Sequence, residues 1–127
     1  MAGLSMGLAK GFKAEAAITK RRIIKFGATD TGALMAAAGA DFAIGVSSEI
    51  DAIIAEPCDV FLNGTAEVEA GAAIARGALL MSDGVGRAIT AAAAAGTNVR
   101  IIGFALAAAS AAGDIIPLNI EPGSFQG

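Results

Sequence analysis

Apolar residues in this chain come in short runs, cut at close intervals by glycine and by Asn-Gly or Asp-Gly pairs. Beyond Phe26, glycines fall at 27, 32, 39, 45, 64, 71, 77, 84, 86, 96, 103, 113 and 123, and at the last position, 127. Each glycine inside a helix costs about 1 kcal/mol relative to alanine, so this spacing argues against a helix bundle. It suits turns, bulges and tight sheet corners. The runs between them predict strands at Ala33–Ala37, Phe42–Val46, Asp59–Asn63, Ala66–Glu69, Ala78–Ser82, Ala88–Ala91, Ile101–Ala107 and Ile115–Ile120. Ile23, Ile24 and Phe26 make Arg22–Phe26 strand-like as well. Many short strands with frequent turn signals predict a mainly β fold, a small β-sandwich or barrel-like domain with little helix.

Two turns are sharper than the rest. Asn63-Gly64 lies between Val60-Phe61-Leu62 and Ala66-Glu67-Val68, which predicts a hairpin with a primed turn. Ser82-Asp83-Gly84 stands between Leu79-Leu80-Met81 and Arg87-Ala88-Ile89 and predicts another. Phe12–Arg22 reads as a short helix or, preferably, an extended lead-in. Ile50–Glu56 reads as a short helix or a loop, and Ala91–Ala95 as a helical turn or a loose connection. Residues 1–19 are expected to form an N-terminal arm, residues 20–121 a β-rich domain, and residues 122–127 a loop-like tail with Phe125 as a docking knob.

Composition narrows the core. There are 32 alanines, 17 glycines, six phenylalanines and neither Trp nor Tyr, so layers are thin and backbones approach closely. A chain of 127 residues fits one domain. Hydrophobic residues make up 55% and charged ones 17%, which leaves apolar surface for another copy or a partner to cover. Met1–Lys10 lacks the continuous apolar centre of a signal peptide, and the longest apolar stretch, Ile101–Gly113, is too short to span a bilayer. No membrane partner is therefore expected, and a reducing intracellular compartment is the default.

Charge divides the chain in two. Residues 1–25 carry Lys10, Lys13, Lys20, Arg21, Arg22 and Lys25 against Glu15, a balance of +5. The remainder sets Arg76, Arg87 and Arg100 against eleven acids, a balance of −8. A cationic arm on an acidic body suggests a hook for something larger. The expected partner-binding residues are Leu4, Met6, Leu8, Lys10, Phe12, Lys13, Lys20, Arg21 and Arg22.

Candidate chemistry is thin. Histidine is absent, which removes the commonest acid–base catalyst and metal ligand. Ser47, Ser48, Ser82 and Ser110 have no base in context. Cys58 stands alone, so neither a disulfide within the chain nor a cysteine metal site is available, and it reads as a small buried hydrophobe. Glu67 and Glu69 read as the solvent face of a strand, and Glu49 and Asp51 lack calcium-loop spacing. Gly84-Val85-Gly86 reads as a hairpin tip and not as a phosphate loop. Lys20-Arg21-Arg22 with Lys25 would suit phosphates, but no aromatic residue interleaves with them and the body is acidic. An acidic protein surface is the better target, and no nucleic-acid partner is expected.

The stretches Phe42-Ala43-Ile44-Gly45-Val46, Val60-Phe61-Leu62-Asn63-Gly64-Thr65-Ala66-Glu67-Val68 and Ala70-Gly71-Ala72-Ala73-Ile74-Ala75-Arg76-Gly77-Ala78-Leu79-Leu80 lead into a resemblance. Ser82-Asp83-Gly84-Val85-Gly86-Arg87-Ala88, Ile102-Gly103-Phe104-Ala105-Leu106 and Gly113-Asp114-Ile115-Ile116-Pro117-Leu118 continue it. Together, from Phe42 to Pro122, they resemble the small capsid decoration, or cement, proteins of tailed bacteriophages, a group formerly catalogued as a domain of unknown function. The resemblance implies a compact β-rich body on the outer capsid surface of the virion, made in the bacterial host cytoplasm. It implies binding to the major capsid protein where subunits meet, self-association as a homotrimer, stabilisation of the shell, and neither catalysis nor a cofactor. The basic lead-in and Ala91–Ala95 depart from the pattern. On this reading Ala105, Ala107, Ala108 and Ala109 let neighbouring copies approach, and removal of residues 1–19 leaves a folded body that no longer binds heads. Two other readings fit the residues: a small barrel holding a sugar or anion near Arg76, Arg87 or Arg100, and an accessory nucleic-acid binder using the front cations.

Overall fold

The structure is a computed structural model and describes residues 8–127. Ten strands and no helix are found among the described residues. β1 (Ala9–Ala14), β2 (Ile23–Phe26), β3 (Gly32–Met35), β4 (Ala43–Ser47) and β5 (Pro57–Phe61) form a closed barrel in the order β1-β3-β2-β4-β5. β6 (Gly64–Glu69), β7 (Leu79–Ser82), β8 (Ala88–Thr90), β9 (Asn98–Ala105) and β10 (Ile115–Gln126) form a second sheet in the order β6-β10-β9-β7-β8. A parallel bridge between Ala70 and Ala88 ties the edge beyond β6 to β8. The mainly β architecture expected from the turn spacing is the architecture observed.

The barrel encloses Phe12, Ala14, Ile18, Ile24, Ala33, Ile44, Ala52, Cys58 and Val60. The second sheet covers Val68, Leu80, Ile102, Ile116 and Leu118, and to these the barrel adds Ile23, Ala36, Ala43 and Val46. Successive side chains of a strand point to opposite faces. Ile23 and Ile24 are both fully buried because β2 has one core on each side. The same placement buries every residue of β4. Close backbone approach explains two glycines. A Cβ on Gly45 would overlap the Phe61 carbonyl, and one on Gly103, whose φ is 152°, would overlap the Asn119 carbonyl.

Four expectations are corrected. Residues 9–14 of the expected arm are strand β1, which closes the barrel by antiparallel pairing with β5 from Ala9–Phe61 to Lys13–Pro57. Removing residues 1–19 would therefore open the barrel; residues 1–7 lie outside the described part. Asn63-Gly64 is not a hairpin tip, because β5 and β6 belong to different sheets. The positive φ of Gly64, 81°, turns the chain from barrel to sheet. The β7–β8 hairpin is present, but its loop runs from Asp83 to Arg87 and the left-handed residue is Gly86, not Gly84. The tail is a strand too. β10 passes a bulge between Ile120 and Gly123 and continues with Phe125 opposite Val99.

Candidate docking surface

The basic front does not act as one unit. Arg21 and Arg22 turn inward to the seam between barrel and sheet. Arg21 Nε lies 3.3 Å from Glu67 Oε1, and its Nη2 lies 3.9 Å from Glu49 Oε2. Arg22 Nη2 donates to Glu69 Oε1 at 3.1 Å and Nη1 to the Val85 carbonyl at 2.8 Å. Arg87 meets Glu69 from the other side at 3.8 Å and Asp83 at 3.0 Å. Glu67 and Glu69, read from the sequence as a solvated strand face, are thus the acids that hold these arginines. Arg21 takes a left-handed backbone, φ 57°, with its amide donating to Ser48 and its carbonyl accepting from Glu69. Such a conformation persists where the surroundings fix it.

Lys10, Lys13 and Lys20 are exposed and form no ion pair among the described residues. Lys10 Nζ sits 5.5 Å from the centre of the Phe12 ring. The Lys20 amide donates to Asp51 at 2.8 Å, which fastens β1's outgoing chain to the β4–β5 loop. Leu8 is exposed, and its amide donates to Asn63 Oδ1 at 2.6 Å. Phe12 is buried in the barrel core and cannot serve as a hook. Leu4 and Met6 lie outside the described residues. Lys25, also part of the front charge, pairs with Asp41 at 3.2 Å.

The β4–β5 loop supplies what the sequence reading missed. Ile50, Ile53 and Ile54 are 75%, 63% and 65% exposed. The loop cannot turn them inward, because its own backbone is fixed. Ala52 N–H and C=O pair with Ile18, the Ala55 amide donates to Ala14, and the Ile53 amide donates to Glu56. Ala52 takes the one inward position. Open grooves run beside β1, lined by Lys13, Glu15, Thr29, Thr31, Ile54 and Ala55, and farther along by Gly11 and Pro57. An apolar trio within a stretch bounded by Glu49, Asp51 and Glu56 was the available signal.

The other singled-out groups have structural partners. Glu15 accepts from the amides of Ala28 and Thr29 and from the Thr29 hydroxyl, and these bonds hold its carboxyl below the usual glutamate range. Burial, then the Asp59 charge, pushes the Cys58 thiol up, which suits an inert core residue. Asp51 is engaged with Lys20 and Glu49 faces Arg21, so the two do not converge. Among the described residues no three His, Cys, Asp or Glu side chains gather as a metal set. Of the three later arginines, Arg87 is ion-paired and the Arg100 guanidinium lies 4.4 Å from the centre of the Phe42 ring. None of the three lines the grooves beside β1. Ala105 and Ala109 face the core, so of the four alanines expected between copies only Ala107 and Ala108 reach the surface.

A closed barrel welded to a second sheet, with lysines and isoleucines left outside, is a β module built to present a surface. The sequence model of the phage cement protein family matches residues 8–120, and the chain belongs to that family. It is a capsid-associated structural protein of the virion surface. Among solved structures it is similar to the N base of the head fibre gp8.5 of bacteriophage phi29, with 18% identity, a TM-score of 0.70, and coverage of 90% of this chain and 93% of that one. That likeness establishes a shared fold. No curated protein matches the sequence.

Proposed function

We propose that this chain cements a phage head by binding the outside of the major capsid protein shell, as a homotrimer, and stabilising it without catalysis. The observation that carries the docking mode is the trio Ile50, Ile53 and Ile54, held out on a fastened loop beside Lys13 and Lys20. Each isoleucine is worth about 1.5–3 kcal/mol when fully buried, and less here because each starts partly covered. The lysines favour an acidic patch on the shell and make association salt-dependent. Leu8 and Lys10, exposed at the start of the described chain, are proposed as further contacts to the shell, as are Leu4 and Met6. Several copies acting together on one shell would add avidity to each contact.

The test is co-sedimentation of the purified protein with heads lacking it. Ile53→Ser with Ile54→Ser is expected to weaken head binding at least tenfold with the circular dichroism spectrum unchanged. Lys13→Glu with Lys20→Glu should weaken it further at low salt than at high salt. Wild-type affinity in both double variants would refute this docking surface.

A further inference from the structure

The two exposed phenylalanines among the described residues lie together. Phe26 and Phe42 are 53% and 50% exposed, while Phe12 is buried and Phe61, Phe104 and Phe125 are partly covered. Strands β2 and β4 bring the pair about. Lys25 stands opposite Ala43, so Phe26 and Phe42 are the next residues out at the same end of the barrel. Their rings meet edge to face, 5.7 Å between centres and 66° between planes. The Arg100 guanidinium, from β9, covers Phe42 at 4.4 Å from the ring centre. The Asp41 carboxylate accepts from the Ala37 amide and pairs with Lys25, which sets the turn before Phe42. The Arg100 amide donates to the Gly39 carbonyl and ties β9 to the same turn. The group is therefore held in place before any partner arrives.

Chemistry selects the occupant. A stacked guanidinium keeps its N–H edge free, and that edge fits both oxygens of one carboxylate. Arg100 forms no ion pair among the described residues. Asp41, beside Phe42 in the chain, is taken by Lys25 and the Ala37 amide. The carboxylate must come from the partner, with an apolar side chain next to it for the two rings. Aromatic side chains and arginine are enriched at protein interfaces. A nucleic acid also stacks on aromatic rings, but one unpaired cation cannot follow a phosphate backbone. Two half-exposed rings offer about 200 Å², a quarter of the ~800 Å² each partner contributes to a standard interface. The remainder adjoins them: the β2–β3 turn that leaves Phe26 places Ala28, Thr29 and Thr31 in the groove that Lys13 and Ile54 also line. That continuity with the proposed docking surface selects the shell over a second copy. Asp30 in this turn is itself unpaired among the described residues, so the partner's acid belongs at Arg100 and not along the turn.

We infer that Phe26, Phe42 and Arg100 form a second contact to the shell, which takes a carboxylate on Arg100 and a neighbouring apolar side chain on the two rings. The inference rests on the reading of the protein as shell-binding and adds a site and the chemistry of the segment it meets. Co-sedimentation of the full chain with heads lacking it tests this, with sedimentation velocity of the same samples. Arg100→Gln and Phe26→Ser/Phe42→Ser should each weaken head binding about tenfold or more, and Arg100→Glu further still. Arg100→Lys should fall between Arg100→Gln and wild type, because lysine keeps the charge and lacks the planar fork. The amide circular dichroism spectrum and the oligomeric state should match wild type throughout. Wild-type affinity in Arg100→Glu and in the phenylalanine pair overturns the inference; if Ile53→Ser/Ile54→Ser still loses binding, the loop surface stands without it. Loss in the Arg100 and phenylalanine variants with wild-type binding in the loop variant keeps the inference and removes the loop. A wild type that does not bind heads overturns both. Variants that bind heads but change oligomeric state assign the group to a second copy and overturn the shell contact. So does single-stranded DNA retained by wild type and released by Phe26→Ser/Phe42→Ser, which assigns it to a nucleic acid.

Discussion

The barrel and the second sheet solve the same packing problem with opposite surfaces. The barrel closes on itself by β1–β5 pairing and leaves its lysines and three isoleucines outside. The second sheet has Glu67 and Glu69 engaged by arginines and leaves Leu79, Leu106 and Ile115 partly exposed. Their cores differ as well. The barrel's is lined by its own strands and connections, whereas the sheet's is completed by Ile23, Ala36, Ala43 and Val46 from the barrel. The sheet thus depends on the barrel more than the barrel depends on the sheet. The difference teaches that the proposed docking surface sits on the half that closes on itself, while the dependent half is fixed by shared core and ion pairs.

The largest predicted effect tests that shared core. Ile23→Ala should cost about 2–5 kcal/mol, since it removes a fully buried side chain between β2 and the second sheet. Denaturant-dependent amide exchange should show Val60 of the barrel and Leu118 of the sheet losing protection together. If Leu118 alone opens, the dependence of sheet on barrel survives but the two halves are not one cooperative unit. If Val60 opens first, the comparison fails.

A smaller effect is expected at the seam. Arg22→Ala removes the bonds to Glu69 and Val85 and should cost about 1–2 kcal/mol, because hydrogen bonds to charged groups contribute more than neutral ones and this guanidinium is largely shielded from water. Arg22 also carries a buried Nε with no partner. Arg22→Met keeps the aliphatic packing and removes that unpaired donor, so it should lie within about 1 kcal/mol of wild type. A double-mutant cycle of Arg22 with Glu69, read by chemical denaturation, separates the pair from the packing. Equal losses for Ala and Met would mean the ion pair alone holds the seam.

Strand positions and fold class were legible because glycine spacing and isoleucine runs act locally. The runs Phe42–Val46 and Ile115–Ile120 fall on β4 and β10. β1 was not legible. Ala9–Ala14 holds one buried large residue, Phe12, and its strand character comes from pairing with Pro57–Phe61 far along the chain. Asn63-Gly64 misled because a left-handed glycine serves a corner between sheets as well as a hairpin. Arg21 and Arg22 looked free because their partners, Glu67 and Glu69, are more than forty residues away. The isoleucine loop escaped notice because exposure depends on the backbone bonds from Ile18 and Ala14 that fasten it.

The smallest effect concerns acid, and it falls on both halves alike. Glu15 fastens the β2–β3 turn of the barrel, and Asp114 accepts from the Ser110 amide and hydroxyl and the Ala111 amide beside β10. These bonds hold both carboxyls below their ordinary ranges. A carboxyl depressed in the folded state contributes stability that is present above its unfolded pKa and lost as pH falls through its folded pKa. Each turn should therefore stay fastened through the ordinary carboxylate range and loosen only below it. An NMR titration checks this: the amides of Ala28 and Thr29 should move with a midpoint below that of an unperturbed glutamate, and those of Ser110 and Ala111 below that of an unperturbed aspartate. Glu15→Gln should abolish the first titration and leave the second, because the two turns belong to different halves. A midpoint at the ordinary value would mean the bonds do not persist in solution. If Glu15→Gln also shifted Ser110, the acid response would be coupled across the seam and the two halves would not loosen independently.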